Sequence, residues 1–160
     1  MPLTRRQIGV AVVGSGRIGT HRARLAAQHP GVRYLAVSDA DPERARRLGE
    51  RVGADLASGS NEEVIGRPEV DAVIVSTSEF AHVAPVLHAV ELGKPVLVEK
   101  PIAMSLEDAD RILAAAGRRG VEVRVGYIMR YKRQYFLGKQ QILEGRLGRV
   151  IGGTGRVYNS

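Results

Sequence analysis

The 160-residue chain contains no cysteine and no tryptophan. Without cysteine there are no disulfides, thiolate metal sites or cysteine nucleophiles, so the fold stands on packing alone. Aromatic residues make up 4% of the chain, and they are not interleaved with the basic residues as a stacking platform for nucleic acid requires. Lysine is also scarce: Lys94, Lys100, Lys132 and Lys139 are the four, leaving 20 arginines among the 24 basic residues. The arginines run from Arg5 to Arg156 without massing in one block. The net charge of +7 is therefore read as solvated helix faces, with anion steering or a polyanionic partner as the alternative. No nucleic-acid partner is expected. No apolar run reaches the roughly 18 residues that span a bilayer, and the opening Met1-Pro2-Leu3-Thr4-Arg5-Arg6 is not a signal-type segment. A cytoplasmic protein without a membrane partner is the expectation.

What is present is an alternation of short apolar runs and amphipathic stretches. The pattern predicts strands at about 7–13, 33–38, 54–57, 70–75, 95–98 and 121–125. Between them it predicts helices at about 17–28, 42–52, from Ser60, 79–91, and from Ser105 with Asp108 as a capping pair. Strands separated by helices imply right-handed crossovers and an α/β doubly wound parallel sheet in the order 3-2-1-4-5-6. Residues 1–126 are read as a dinucleotide-binding domain. Residues 127–160 are read as a connecting helix, ending at Gly145, and a strand from Arg149 to Tyr158 that opens an α+β substrate domain. That strand, unpaired, would favour association into a homo-oligomer.

Chemistry concentrates first at Gly14-Ser15-Gly16-Arg17-Ile18-Gly19, which follows a strand and opens a helix, with Asp39 twenty residues past Gly19. Gly14 permits the tight turn, Gly16 lets the backbone approach a pyrophosphate, and Gly19 allows close helix–strand packing. The helix N-terminus supplies free N–H groups, to which Arg17 adds a charge. Asp39 would accept hydrogen bonds from the adenosine ribose and repel a 2′-phosphate, favouring NAD. Arg44, Arg46 and Arg47 keep NADP open.

With Gly93-Lys94-Pro95-Val96-Leu97-Val98-Glu99-Lys100-Pro101, Ser76-Thr77 with His82, and Gly126-Tyr127 with Arg130-Tyr131, the chain resembles the Gfo/Idh/MocA oxidoreductases over nearly its whole length. The resemblance implies an NAD-dependent dehydrogenase acting on the CH–OH group of a sugar, polyol or cyclitol. It places Gly14, Gly16, Arg17, Ile18, Gly19, Asp39, Ser76, Thr77, His82, Glu99 and Lys100 at the cofactor. Ser76, Thr77 and His82 would lie on the adenine and ribose side and Glu99 near the nicotinamide ribose. Lys100 would be the catalytic group, and the Lys100–Pro101 peptide would be cis. The alternative for Lys100 is a surface lysine paired with Glu99. Tyr127, Arg130 and Tyr131 can equally pack the last helix.

Two departures stand out. Thr77-Ser78-Glu79-Phe80 replaces the family's Thr-Pro-Asn, and the family's Asp-x-x-x-His pair, whose histidine is the general base, is not in this sequence. The histidines are His21, His29, His82 and His88. The last two, six residues apart on the expected fourth helix, would face different ways, so no metal site is expected. A non-catalytic nucleotide-binding regulator or a truncated remnant is the competing reading.

Overall fold

The structure, a computed structural model, describes residues 7–156. Six strands, β1 (Ile8–Val13), β2 (Val32–Ser38), β3 (Leu56–Ser58), β4 (Ala72–Val75), β5 (Val96–Val98) and β6 (Val123–Val125), form one parallel sheet in the order β3-β2-β1-β4-β5-β6. Side chains alternate across it. Val10 and Val12 of β1, with Leu35 and Val37 of β2, face a layer made by α1 (Arg17–Gln28) and α2 (Pro42–Val52) through Ala23, Ala26 and Leu48. Ala11, Val13, Ala36, Val73 and Val75 face the opposite layer of α3 (Asn61–Gly66), α4 (Val83–Glu91) and α5 (Leu106–Arg119), through Val64, Ile65, Val86, Val90 and Ile112. Burial on both faces is why the central strands read as unbroken apolar runs.

Local chemistry sets the helix starts. Asp41 accepts the Glu43 and Arg44 amides ahead of Pro42, Ser60 Oγ accepts from Glu63, and Ser105 Oγ from Asp108. Gly53 and Gly120 close α2 and α5 in the left-handed conformation. Lys94, just before β5, is another cap: its Nζ donates to Ile65 O at 2.6 Å and Arg67 O at 2.7 Å, at the end of α3. Burial holds its ammonium pKa below the usual lysine value, against the opposing pull of Asp71 and Glu69.

The structure corrects two expectations. The fourth helix is not continuous from 79 to 91: Glu79–Ala81 is a 3-10 turn, His82 the N-cap, and α4 begins at Val83. Pro85, in its first turn, has no N–H to donate back to Ala81, and its ring would crowd that carbonyl in a continuing α-helix. The strand expected over 149–158 is also absent from its described part, since residues 149–156 carry no strand. No strand there pairs with them, and three of the eight are glycines. Val157 and Tyr158 lie outside the described residues, so the oligomer expected through that strand loses its basis in the described part.

A second compact unit begins at Tyr127. It holds a 3-10 turn, Ile128–Tyr131, and α6 (Arg133–Leu143), with Gly145 in the left-handed conformation two residues past the helix. No residue of α6 is buried. Among the described residues no helix is long and apolar enough to cross a membrane.

Candidate cofactor site

Val13 of β1 stands opposite both Ser38 of β2 and Val75 of β4. Their carboxyl ends are therefore level where the strand order reverses, the place at which open α/β sheets leave a crevice. The glycine loop turns here. Gly14 has φ +94°, and a Cβ on it would come within 2.6 Å of Ser76 O. At Gly19 a Cβ would fall 1.7 Å from Gly14 O. Those two glycines press the loop and α1 against the end of β4. Gly16 differs: the position of its Cβ has no atom within 4 Å. One side of the loop is jammed against protein, and the other is open.

Asp39 fastens the loop. Its Oδ2 accepts the Ser15 amide at 2.8 Å and its Oδ1 the Asp41 amide at 3.0 Å, while Ser15 Oγ donates to Ser38 O at 3.1 Å. The carboxylate is thus part of the loop's scaffold, and each oxygen keeps a further lone pair for a ligand hydroxyl. Arg44 stands 3.5 Å from Asp39 Oδ1, whereas Arg46 and Arg47 are engaged by Glu43 on the outer face of α2. Gly16, as N-cap of α1, contributes no side-chain cap, and the first turn holds no acidic residue. The first amides of α1 are therefore left for an anion. Ile18 is 40% exposed beside them. Arg17 lines a cleft of about 300 Å³ with Thr20, His21, Arg24, Arg51 and Val52.

Beyond β4, Ser76 is buried and its Oγ finds no partner among the described residues. Thr77 Oγ1 donates to Ser78 O at 3.2 Å. His82, 1% exposed, does not line the crevice as the resemblance implied. Its Nδ1–H donates to Pro101 O at 2.8 Å, and its Nε2 lies 3.3 Å from Thr77 O. It works from beneath, tying the loop after β4 to the loop after β5. The Lys100–Pro101 peptide in that second loop is cis.

Glu99 at the end of β5 has a partner that sequence reading does not name. Arg22 of α1 donates both Nε–H, at 2.8 Å, and Nη2–H, at 2.5 Å, to Glu99 Oε1. A signal lies in the helix period: position 22 is three past Gly19 and four before Ala26, both buried, so its side chain leaves beside the packing face. Glu99 pairs with Arg22, and Lys100 makes no salt bridge to it. Lys100 is exposed, and no carboxylate among the described residues pairs with it.

The pieces brought together are a loop with one open side, free helix amides, a fixed carboxylate at the end of β2, an orphaned buried hydroxyl and a carboxylate–lysine step at the end of β5. That set suits a long anionic ligand laid across the switch point, with hydroxyls at both ends.

Comparison with known proteins agrees. Residues 8–127 match the family model described as the oxidoreductase family, NAD-binding Rossmann fold, Gfo/Idh/MocA. The inositol 2-dehydrogenase 3 of Saccharopolyspora erythraea is 40% identical over 144 residues, covering 88% of this chain and 42% of that protein. The 2,7-anhydro-N-acetylneuraminate hydratase of Mediterraneibacter gnavus is 32% identical over 146 residues, covering 91% of this chain and 38% of that protein. The crystal structure of a Lactobacillus casei myo-inositol dehydrogenase in complex with NAD(H) and myo-inositol superposes with a TM-score of 0.81 at 29% identity, covering 89% of this chain and 43% of that one. The chain thus spans about two fifths of the length of the relatives it matches. By the family model and the sheet it folds into, the chain belongs to the Gfo/Idh/MocA oxidoreductase family, as that family's NAD-binding Rossmann domain.

Proposed function

We propose that the chain is the cofactor-holding part of an NAD-dependent oxidoreductase acting on the CH–OH group of a polyol, sugar or cyclitol. The observation that carries this reading is the loop held shut by Gly14, Gly19 and Asp39 while Gly16 faces open space. Backbone N–H groups at Gly16 and along the first turn of α1 would hold the pyrophosphate. Asp39 would take the adenosine ribose hydroxyls, and Ser76 and Thr77 would line the wall beside it. Glu99 and Lys100 would stand at the nicotinamide end.

When bound, the nicotinamide supplies a hydride acceptor and donor at C4. The chain's own contribution is positional and electrostatic. Lys100, with no carboxylate paired to it among the described residues, can donate from Nζ to the substrate oxygen and stabilise negative charge developing there. Asp39 supports NAD over NADP, and Arg44, 3.5 Å from its Oδ1, is a cation that would meet a 2′-phosphate.

A second reading has a specific observation behind it. One relative carries the name of a hydratase, so holding a dinucleotide does not fix the net reaction. The two readings part in one experiment. Calorimetric titration with NAD+, NADH and NADP+, followed by a panel of inositols and sugars monitored for NADH formation, should show binding of the first two. A folded chain that binds neither form of NAD overturns the cofactor reading. NADH formed from any member of the panel decides for the dehydrogenase reading.

A further inference from the structure

We propose that Arg22 balances the charge of Glu99 and thereby sets the relative affinity of the site for oxidised and reduced cofactor. The inference rests on the cofactor reading above.

Glu99 is a fixed group. Arg22 grips Oε1 through two N–H groups, and the side chains are 19% and 13% exposed. On the other side stands Gly126 at the end of β6, where a Cβ would meet Oε2 at 3.1 Å and Oε1 at 3.2 Å. The carboxylate is wedged between α1 and the backbone that follows β6. Oε2 accepts no hydrogen bond among the described residues and is the oxygen left for a ligand.

A lone carboxylate at the nicotinamide end would not be neutral toward the cofactor's oxidation state. The oxidised ring carries a positive charge and the reduced ring none, so an unpaired Glu99 would favour NAD+ selectively. Paired with a guanidinium that is always protonated, it presents a fixed acceptor without net charge. Arg22 is then a positioning residue that acts through charge as well as geometry. It lets Glu99 serve as a hydrogen-bond acceptor without tilting the site toward the oxidised form. For unit charges roughly 10 Å apart near a protein surface, removing that balance is expected to change the affinity ratio on the order of tenfold.

The test measures dissociation constants for NAD+ and NADH on the whole chain. NADH is followed by its own fluorescence. Arg22→Ala and Arg22→Gln should each raise the preference for NAD+ over NADH about tenfold, while Arg22→Lys keeps the wild-type ratio. The double variant Arg22→Ala with Glu99→Gln should return the ratio toward wild type, because the uncompensated charge is gone. If Arg22→Ala does not fold, the Gln and Lys variants decide, and identical ratios in those two overturn the proposal. Equal loss of both affinities, with the ratio unmoved, overturns it by reducing Arg22 to a strut. A wild-type chain that binds neither form overturns the cofactor reading and this inference together, and that outcome shows before any variant is made.

Discussion

At the residue scale the glycines of one loop have opposite obligations. Gly19 is required by the protein itself, since a Cβ there would overlap Gly14 O at 1.7 Å. Gly19→Ala should destabilise the fold by about 3 kcal/mol or more, seen as a lowered urea midpoint. Gly16 is required only by what lies outside. Its φ of −70° suits any residue, and nothing stands within 4 Å of the added atom. Gly16→Val should therefore leave stability within about 1 kcal/mol of wild type while lowering NADH affinity tenfold or more. A valine variant that binds as tightly as wild type removes the open side of the loop from the cofactor site. Their spacing in the motif already assigns the two glycines separate roles, and the structure supplies the distances behind them. Arg22 is the complementary case: its partner Glu99 lies 77 residues away, so no local pattern names the pair.

At the scale of elements, caps and breaks explain what is legible without the structure. Helices α1 and α2 begin where the sequence predicts because their signals, Gly16 before α1 and the Asp41-Pro42 pair before α2, act within one turn. The parallel sheet follows from the alternation of strands and helices, and its order from the glycine loop after β1. The break at His82 is hidden because Phe80, Val83, Val86 and Leu87 keep an apolar helical spacing through it, and only Pro85 argues otherwise. The role of Lys94 is likewise concealed, for its acceptors Ile65 O and Arg67 O belong to another helix and its cap.

Lys94 offers a pH test. Its native pKa lies below 10.5, the ordinary value. Between that lowered value and 10.5, the unfolded chain keeps a proton that the native chain has released, so this group's contribution to stability rises with pH. Below the native value both states are protonated, and the full penalty of burying the ammonium is felt. Replacing Lys94 by Met should flatten that rise, read as the difference in urea midpoint between variant and wild type at about pH 8 and about pH 10. A difference that does not change with pH leaves Lys94 without the predicted coupling.

At the scale of the whole molecule, the order β3-β2-β1-β4-β5-β6 carries a kinetic consequence. β1 joins β2 through one helix, yet reaches β4 only after a long stretch of chain has been gathered in, with Gly9 bonded to Asp71 across 62 positions. Closing so long a loop comes late, after local helices and the β1–β2 pair can already exist. The wall that Ser76 raises against Gly14 belongs to that late event. A refolding chain should thus regain helical circular dichroism before it regains the ability to quench or enhance NADH fluorescence, and Val73→Ala in β4 should lengthen the lag. Simultaneous recovery of the two signals would mean that β4 joins β1 in the first step. Until that non-local seam closes, a nascent chain is helical but has nothing to grasp the dinucleotide with, and ligand cannot rescue it by mass action.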